Sequence, residues 1–428
     1  MKSKMFVFSI VLAVIFAGVI FANGGKEDME TAGGVAEVEV VEIEVFQSKT
    51  TIADQFEALA REFEAVNPDI KVSVDTVGGS ADWQTILKSR FTAEEGPALF
   101  NIEGPAQYDL WKENIADLTG ESFLDGAVEA AKAPLNIGGR QYGMPVNFEG
   151  YGYIYNKDIF AEAGITDLPT DFSELRDAAM KLENAGYTAW ATGYGTWWVI
   201  GLHLLNATFA QLDDPQAFME GLTAGTMTMA ETKEFRDLQN LIDLTVEYGE
   251  DNPLATDHNQ QVQLLANGDV AMIQQGVWKE TALYAAAPDL NIGLLPIAIN
   301  DDPKMNRVPL GVPWYFVVNS KATAAEQDAA KKFLDFMFAS DTGKRYLVEE
   351  FGYIPAVKGV PSTGLGGVGK DILTFAAEDR TVPWVFGQWP DGFAQQDAFN
   401  NLQAYVGGRQ SWQETLEALD EAWQDRAN

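Results

Sequence analysis

Hydrogen-bonding side chains stand at the ends of two short strand-forming runs in the first quarter of the chain. Gln47 and Ser48 follow the strand-forming run 38–46. Asn101 and Glu103 come at the end of a second such run. Amides offer donors and acceptors, and a carboxylate accepts through two oxygens. If both runs are parallel strands of one sheet, these side chains meet at its carboxyl edge, where open α/β sheets bind ligands. The pattern predicts reversible binding of a polar molecule.

The groups that covalent and metal chemistry require are scarce. The chain has no cysteine and two histidines. His203 lies in an apolar stretch and is predicted to be a core residue, whereas His258 lies in a polar turn. Two isolated histidines do not make a metal site or a catalytic triad. We therefore predict no catalytic residue, no metal ion and no cofactor.

One glycine-rich segment, 364–370, has the spacing G-x-G-x-x-G and approaches a phosphate-binding loop. Asp371 stands where that loop needs Ser or Thr, and no predicted strand precedes the segment. An acidic residue at a helix start also repels a phosphate. The segment is therefore predicted to be a surface loop before a helix over 372–377, without nucleotide binding.

The charge of the chain limits its partners. The 428 residues carry a formal charge of −34, with 46% hydrophobic residues and eleven tryptophans. This composition predicts a folded protein with a large core. A strongly acidic surface repels nucleic acids and anionic lipid headgroups, so neither is expected to bind.

The first residues read as an export signal. Lys2 and Lys4 precede an uncharged run that ends in a small residue, which predicts a signal peptide over 1–22. A flexible leader over 23–37 follows. The alternative is an uncleaved membrane anchor. Because no cysteine is present to carry a lipid, the mature protein is expected to be free in the periplasm or secreted.

Periodicity predicts alternating strands and helices. Apolar residues from Ile52 to Val66 recur at spacings of three and four, which is one face of a helix. A strand over 70–77 follows, completing a βαβ unit and hence a parallel sheet. Further helices are predicted over 235–246 and 329–338, and a C-terminal helix begins at the capping pair Ser411 and Glu414. The fold class is α/β.

The order of several short motifs resembles one family. Segment 142–145, Tyr-Gly-Met-Pro, is followed by an aromatic strand, then Asn156-Lys157-Asp158 and a short helix. Later segments are Gly276-Val277-Trp278 and, at 352–355, Gly-Tyr-Ile-Pro. In this order they resemble the extracellular solute-binding proteins of ABC importers, family 1, in the maltose-binding-like carbohydrate branch. One motif departs from the family, since Ala98 follows Pro97 where Asp is usual.

The resemblance implies a two-lobed, type II-like periplasmic-binding-protein fold with a ligand cleft between lobes joined by hinge crossings. Crossings are expected near 145–150, within 296–314 and after Tyr353. Lobe 1 would comprise 38–147 plus 297–350. Lobe 2 would comprise 148–296 plus 351–428, including the C-terminal helices.

The resemblance also implies site residues. Glu149 matches a sugar-bonding glutamate and Trp278 a stacking tryptophan. Their alternatives are a solvated hinge charge and a core residue. A sugar needs aromatic planes for its C–H faces and carboxylates or amides for its hydroxyls. With Gln47, Ser48, Asn101 and Glu103, the other candidates are Trp197, Trp198, Trp83, Asn147, Trp314, Trp384 and Trp389, and the tryptophans among them could instead be core residues.

These features predict a monomeric binding protein that captures a mono- or oligosaccharide and delivers it to the transmembrane subunits of an ABC permease. Contact with the membrane would be only through that complex. A binding protein for another solute, such as a polyamine, is the alternative, because an acidic aromatic cleft also suits cations. A secreted glycosidase is the third possibility, although no carboxylate pair with its spacing is evident.

Overall fold

The computed structural model describes residues 40–78, 82–360 and 364–427. The predicted signal peptide and leader, over 1–22 and 23–37, lie outside these residues. Fourteen strands occur in the described part of the chain. They are β1 Val41–Gln47, β2 Ile70–Thr76, β3 Leu99–Ile102, β4 Asn136–Ile137, β5 Arg140–Gln141, β6 Met144–Pro145, β7 Asn147–Asn156, β8 Thr188–Ala191, β9 Val270–Gly276, β10 Ile292–Leu295, β11 Val308–Gly311, β12 Tyr315–Val318, β13 Ile354–Pro355 and β14 Thr381–Pro383.

The helices lie between these strands, as an α/β chain requires. They are α1 Ala53–Val66, α2 Trp83–Thr92, α3 Pro105–Trp111, α4 Glu129–Lys132, α5 Lys157–Glu162, α6 Phe172–Asn184, α7 Leu205–Phe209, α8 Pro215–Thr223, α9 Lys233–Glu247, α10 His258–Asn267, α11 Glu280–Ala286, α12 Ala324–Ala339, α13 Asp341–Arg345, α14 Gly367–Ala377, α15 Phe399–Val406 and α16 Trp412–Ala427. Short π-helical segments cover Trp198–Leu204, Tyr346–Glu350 and Phe393–Ala398.

The first sheet has the order β2-β1-β3-β12-β6. Strands β1, β2 and β3 are parallel, so the predicted βαβ unit is confirmed. Helix α1 packs against this sheet through Phe56, Leu59 and Phe63, which are buried at the predicted spacing. Val66 shares the predicted face but is 66% exposed, because it ends the helix beyond the edge of the core.

The second sheet is organised around the ten-residue strand β7. Its main path is β14-β11-β7-β9-β8, and β10 and β13 also pair with β7. Near its start β7 pairs with β13 and β11, over 147–150, and further along β9 and β10 pair with its two opposite edges, over 151–156. A single long strand therefore carries the centre of the second lobe.

The chain passes between the two sheets three times. It leaves the first sheet after Pro145, returns to it between Gly311 and Tyr315, and leaves again after Tyr353. These positions agree with the crossings that the resemblance implied. Strand β11 pairs with the second sheet, although its residues fall in the range predicted for lobe 1. The predicted lobe bounds remain a prediction.

Each sheet has its own aromatic core. In the first lobe Phe56 contacts Phe316, Phe333 and Phe351, with ring centroids 5.8–6.0 Å apart. In the second, Trp423 of α16 stacks on Phe209 at 5.6 Å. Helix α16 begins as predicted, with the Ser411 hydroxyl and amide both donating to Glu414. The predicted α/β fold class is confirmed.

No helix in the described ranges is long and apolar enough to cross a bilayer.

Candidate functional site

Side chains from all three crossings meet at one point between the lobes. Glu149 lies near the start of β7, Trp314 lies just before β12, and Tyr353 just before β13. The turn after β1 brings Lys49 to the same point, and the residues after β9 bring Trp278. The site therefore lies at strand ends, but Glu149, Trp314 and Tyr353 lie at the starts of strands rather than at the predicted carboxyl edge. Its members are up to about three hundred residues apart.

Glu149 and Asn147 lie on one face of β7, because side chains alternate along a strand. They are 3% and 0% exposed. Oε1 of Glu149 accepts a hydrogen bond from Asn147 Nδ2 at 3.2 Å and forms an ion pair with the ammonium of Lys49. Oε2 has no hydrogen-bond partner within the described residues. Glu149 is therefore not a solvated hinge charge but a buried carboxylate with a free oxygen.

Lys49 is a site residue that the sequence reasoning missed. Its Nζ lies 5.2 Å from the ring centre of Trp314, 5.7 Å from that of Trp278 and 5.9 Å from that of Tyr353. These distances allow cation–π attraction with all three rings. Together with Glu149, the rings form a cage around the ammonium, which we call the lysine cage.

The turn after β1 and the end of β3 form the polar wall of the cleft, made of Gln47, Ser48 and Asn101. The amide of Gln47 accepts from the Lys49 backbone nitrogen at 2.7 Å and donates to the Lys49 carbonyl and to Thr76. Gln47 thus holds the turn rather than facing the cleft with free groups. Asn101 Nδ2 donates to the Ser48 hydroxyl at 3.0 Å, which leaves Asn101 Oδ1 without a partner.

The indole of Trp278 is fixed by a chain of glutamines. Its Nε1 donates to Gln275 at 2.9 Å, Gln275 donates to Gln261 at 2.5 Å, and Gln261 donates to the carbonyl of Ala191 at 2.8 Å. A Cβ at Gly276 would lie against the indole ring, so the glycine of the Gly-x-Trp turn lets the ring fold back over the strand end. The ring orientation is set before any ligand arrives.

Trp278 belongs to an aromatic wall formed by Trp198, His203, Trp278 and Trp384. The ring centre of Trp278 lies 5.2 Å from that of His203, 6.0 Å from that of Trp198 and 6.4 Å from that of Trp384. Tyr151 stacks on His203 from behind at 4.2 Å. Trp198 opens a π-helical segment, an irregularity that frequently occurs at functional sites.

His203 is buried, as predicted, but it lies in the aromatic wall and not in a remote core. Burial, together with the positive charge of Lys49, lowers the pKa of His203 to about 3. The ring is therefore neutral at physiological pH. It contributes a flat surface, and its Nδ1 has no hydrogen-bond partner among the described residues.

A second ammonium group lies behind Trp198. Lys279, which is 3% exposed, places Nζ 2.6 Å from Nδ1 of His258 and 3.3 Å from the side-chain oxygen of Asn259. Burial, together with the charge of Lys49, lowers the pKa of Lys279 to about 8 against the opposing effect of Asp257. Burial and Lys279 lower the pKa of His258 to about 4, so a neutral His258 accepts from Lys279.

Several buried polar atoms around the cleft have no partner within the described residues. They are Asn101 Oδ1, Asn147 Oδ1, Trp314 Nε1 and Trp384 Nε1. Buried polar groups in folded proteins are nearly always hydrogen-bonded, so a cluster of exceptions needs an explanation. Both hydrogen-bond donors and hydrogen-bond acceptors are therefore left free where the two lobes meet.

The outer end of the cleft is different in character. Gly104 of the first lobe and Gly387 of the second approach so closely that a Cβ on Gly104 would lie 3.3 Å from the Gly387 Cα. A cavity of about 500 Å³ and another of about 60 Å³ border this contact. The Lys88 ammonium bridges the lobes nearby by pairing with Asp391 at 3.0 Å.

Glu103 lies at this outer end and not in the lysine cage. It accepts from the Gln107 amide at 3.1 Å. Burial, together with the carboxylate of Asp391, raises the pKa of Glu103 to about 7 against the opposing effect of the bond from Gln107. Trp197 lines the smaller cavity beside it, apart from the aromatic wall.

Two of the other predicted tryptophans pack in the core. Trp83 is 8% exposed among the first-lobe residues Phe46, Leu87 and Phe100. Trp389 is 3% exposed and contacts Phe209 at 4.8 Å, although its edge also reaches the smaller cavity. Their packing corresponds to the alternative stated for them above.

The glycine-rich segment is partly helical and not a loop throughout, because α14 begins at Gly367, five residues before the predicted start. The carboxylate of Glu280 accepts from the backbone nitrogens of Val368 and Gly369 at 2.7 and 3.2 Å. An acidic side chain therefore already occupies the place where a phosphate would bind. Within the described residues no group of three His, Cys, Asp or Glu is arranged to hold a metal ion.

Comparison with known proteins places this site in a family. The model of the family described as bacterial extracellular solute-binding protein matches residues 49–344. The chain therefore belongs to the bacterial extracellular solute-binding proteins, as its motifs suggested. Proteins of this family act outside the cytoplasm.

Individual relatives cover most of the chain. An uncharacterized ABC transporter extracellular-binding protein of Pyrococcus horikoshii is 24% identical over 89% of this chain and 86% of its own. The diacetylchitobiose-binding protein DasA of Streptomyces coelicolor is 24% identical over 95% and 93%. The structure of RafE of Streptococcus pneumoniae in complex with raffinose aligns with a TM-score of 0.78 at 20% identity, over 91% and 100%. The two-lobed fold is confirmed.

Proposed function

We propose that this protein is the solute-binding component of an ABC importer and that its solute is a carbohydrate. The observation that supports the proposal most is the division of the cleft. Side-chain amides with free oxygens stand on one side, flat aromatic faces stand on the other, and the buried carboxylate of Glu149 lies between them. A sugar ring has the matching division between its hydroxyl rim and its C–H faces. The printed names of relatives, diacetylchitobiose-binding and raffinose-bound, point to the same class of ligand.

In this proposal each group has a role. Glu149 Oε2 and the Oδ1 atoms of Asn147 and Asn101 accept from sugar hydroxyls, and the indole nitrogens of Trp314 and Trp384 donate to them. The indole of Trp278 covers one face of a sugar ring. Because these groups come from both lobes, a bound sugar favours the closed arrangement by contacts that the open one lacks.

A polyamine is a poorer fit than the composition of the chain suggested. The ammonium groups of Lys49 and Lys279 both lie at the site, and they repel a cationic solute. Glu149 is already paired with Lys49. Although the net charge of the molecule is negative, a ligand in this part of the cleft meets positively charged groups.

A glycosidase is also a poorer fit. The family and the structural relatives are binding proteins. Turnover of aryl glycosides tests this directly, and we expect none.

The proposal includes export and delivery. We propose that residues 1–22 are removed as a signal peptide and that the mature protein is a monomer. It would dock in its closed form on the transmembrane subunits of the permease.

Thermal unfolding of the purified protein with a panel of solutes tests the function. The panel contains glucose, maltotriose, raffinose, diacetylchitobiose, spermidine and several amino acids. At a thousandfold excess over Kd, binding adds about 4 kcal/mol of stability, which raises the melting temperature by several degrees. We expect a carbohydrate to give the shift. A shift with spermidine or an amino acid alone would contradict the carbohydrate assignment and leave the fold untouched.

A further inference from the structure

The part of the cleft around Lys49 is already filled by the protein itself. The space left beside Gln47, Ser48, Asn101 and Trp314 is only about 10 Å³. A cavity of that size scarcely accommodates one water molecule. The volume that a sugar ring would need against Trp278 or Trp314 is taken up by the side chain of Lys49.

Lys49 makes the kinds of contact there that the solute is proposed to make. Its ammonium bonds to Glu149, as a hydroxyl would, and it lies 5.2–5.9 Å from the three ring centres, as the face of a sugar would. Both lobes and all three crossings are tied together by this one group. It therefore stands in the cage in place of a ligand.

Only the side chain of Lys49 is free to leave. Gln47 binds the backbone nitrogen of Lys49 at 2.7 Å and its carbonyl oxygen at 3.2 Å, and Gln47 is itself anchored to Thr76 at 2.6 Å. The turn is thus held by a buried side chain from the end of β1, so the ammonium returns to the same cage whenever the site empties.

We propose that Lys49 is a built-in competitor of the solute: it occupies the lysine cage in the empty protein, and the solute must displace it to bind. This inference rests on the proposed function. On binding, Glu149 exchanges the ammonium for sugar hydroxyls, and Trp278 and Trp314 exchange the cation for C–H faces. Lys49 thereby lowers the affinity for every solute.

The competition also determines specificity. A solute that stacks on the rings but offers no donor to Glu149 would displace the ammonium and leave a buried carboxylate unpaired, which is costly. A solute with hydroxyls at that position replaces both interactions. Lys49 therefore selects against ring-shaped molecules that have no hydroxyl to bond to Glu149. Specificity then comes both from the contacts of the right solute and from the cost of binding a wrong one.

Removal of the competitor is the first test. Lys49→Ala empties the cage, and Lys49→Met removes the charge while keeping most of the stem. Lys71→Ala is the matched control, because Lys71 forms an exposed ion pair with Glu64 at 2.9 Å, on the surface of the first lobe. Calorimetric titration uses the carbohydrate of the panel that stabilises the wild-type protein most.

We expect Lys49→Ala to bind that carbohydrate about tenfold more tightly than the wild type, Lys49→Met to fall between them, and Lys71→Ala to be unchanged. Weaker or unchanged binding by Lys49→Ala would overturn the proposal, because Lys49 would then contact the solute or be indifferent to it. If no carbohydrate binds to any variant, the proposed function fails as well, so the two failures are distinguishable.

A second measurement needs no variant and so does not depend on the folding of one. The wild-type protein is treated with an amine-selective acylating reagent, with and without the carbohydrate, and modification of Lys49 is followed by peptide mass spectrometry. Displacement predicts that Lys49 reacts at least threefold faster when the solute is bound, while Lys71 does not change. Equal or slower modification of Lys49 with solute would overturn the proposal.

Discussion

The two walls of the cleft are built in different ways. The polar wall, Gln47, Ser48 and Asn101, consists of residues at the ends of parallel strands, and much of its hydrogen bonding serves to hold its own turns. The aromatic wall, Trp198, His203, Trp278 and Trp384, presents flat surfaces that are oriented by bonds behind them. Since each lobe offers one half of what a sugar needs, neither lobe alone makes a complete site. Closure around a solute is therefore expected to require both.

The largest effect is expected from the aromatic wall. Trp278→Ala should weaken carbohydrate binding by about 2–3 kcal/mol, because the variant loses a large buried aromatic surface. The measurement is calorimetric titration, with near-ultraviolet circular dichroism to show that the fold is kept. Trp197→Ala is the control, since Trp197 lies outside the wall and should lose less than about 1 kcal/mol. Equal losses of binding free energy in the two variants would show that the aromatic wall contributes no more to binding than the residues around it.

The carboxylate between the walls comes next. Glu149→Gln keeps the shape and removes the charge, and we expect about 1.5 kcal/mol weaker binding, because hydrogen bonds to a charged group are stronger. Glu57→Gln, in an exposed pair with Arg61, is the control that should leave binding unchanged. Titration of both variants with the same carbohydrate makes the comparison. Undiminished affinity in Glu149→Gln would remove Glu149 from the site.

The polar wall should act more weakly and more selectively. Asn101→Ala removes an unpaired acceptor, and we expect about 1 kcal/mol weaker binding. The loss should depend on the sugar and vanish for a deoxy analogue that lacks the hydroxyl facing Asn101. Titration with a series of deoxy analogues measures this. A uniform loss across the series would mean that Asn101 supports the wall rather than reading the solute.

The smallest effect concerns pH at the outer end of the cleft. The pKa of Glu103 is raised from its ordinary value of 4.5 to about 7. The folded state therefore holds this proton more tightly than the unfolded state, so the stability that Glu103 contributes falls as pH rises from about 4.5 to 7. Because the side chain is partly exposed, solvent screening keeps the effect below about 1 kcal/mol.

Urea unfolding of the wild type and of Glu103→Gln between pH 4.5 and 8 measures this dependence. The variant should lose stability less steeply over that interval, whereas parallel curves would contradict the shifted pKa. The pKa values of His203 and His258 are lowered to about 3 and 4, so below about pH 6.5 these residues are protonated only in the unfolded state and make stability rise with pH. Both proteins share this effect, so the difference between their two curves reports Glu103.

Much of the fold could be predicted from local patterns. The helix α1, the parallel strands around it and the capped helix α16 all follow from spacing and end signals within one segment. The start of α14 could not be predicted, because it depends on Glu280, which lies about ninety residues earlier and caps its backbone nitrogens. When the side chain that caps a helix is distant in sequence, the residues around the helix start do not show where the helix begins.

The candidate site shows the same limit. Motif resemblance placed Glu149 and Trp278, which now lie at one point together with Trp314. Lys49 carried no signal, since a lysine in a turn is usually solvated, and its cage consists of residues from 100 to 304 positions away. Trp83 and Trp389 show the converse, because a tryptophan near glycines gives no local sign of whether its ring faces the cleft or the core.

The approach of Gly104 to Gly387 has a practical consequence. Here the two lobes touch through bare main chain, so a side chain added at Gly104 would press on the backbone of Gly387 and oppose closure. At Gly387 an added Cβ would make only ordinary contacts of 3.5–3.8 Å with the first lobe, so this position can carry a fluorescent reporter. Its fluorescence would change as the two lobes open and close, and would therefore report the binding of the solute.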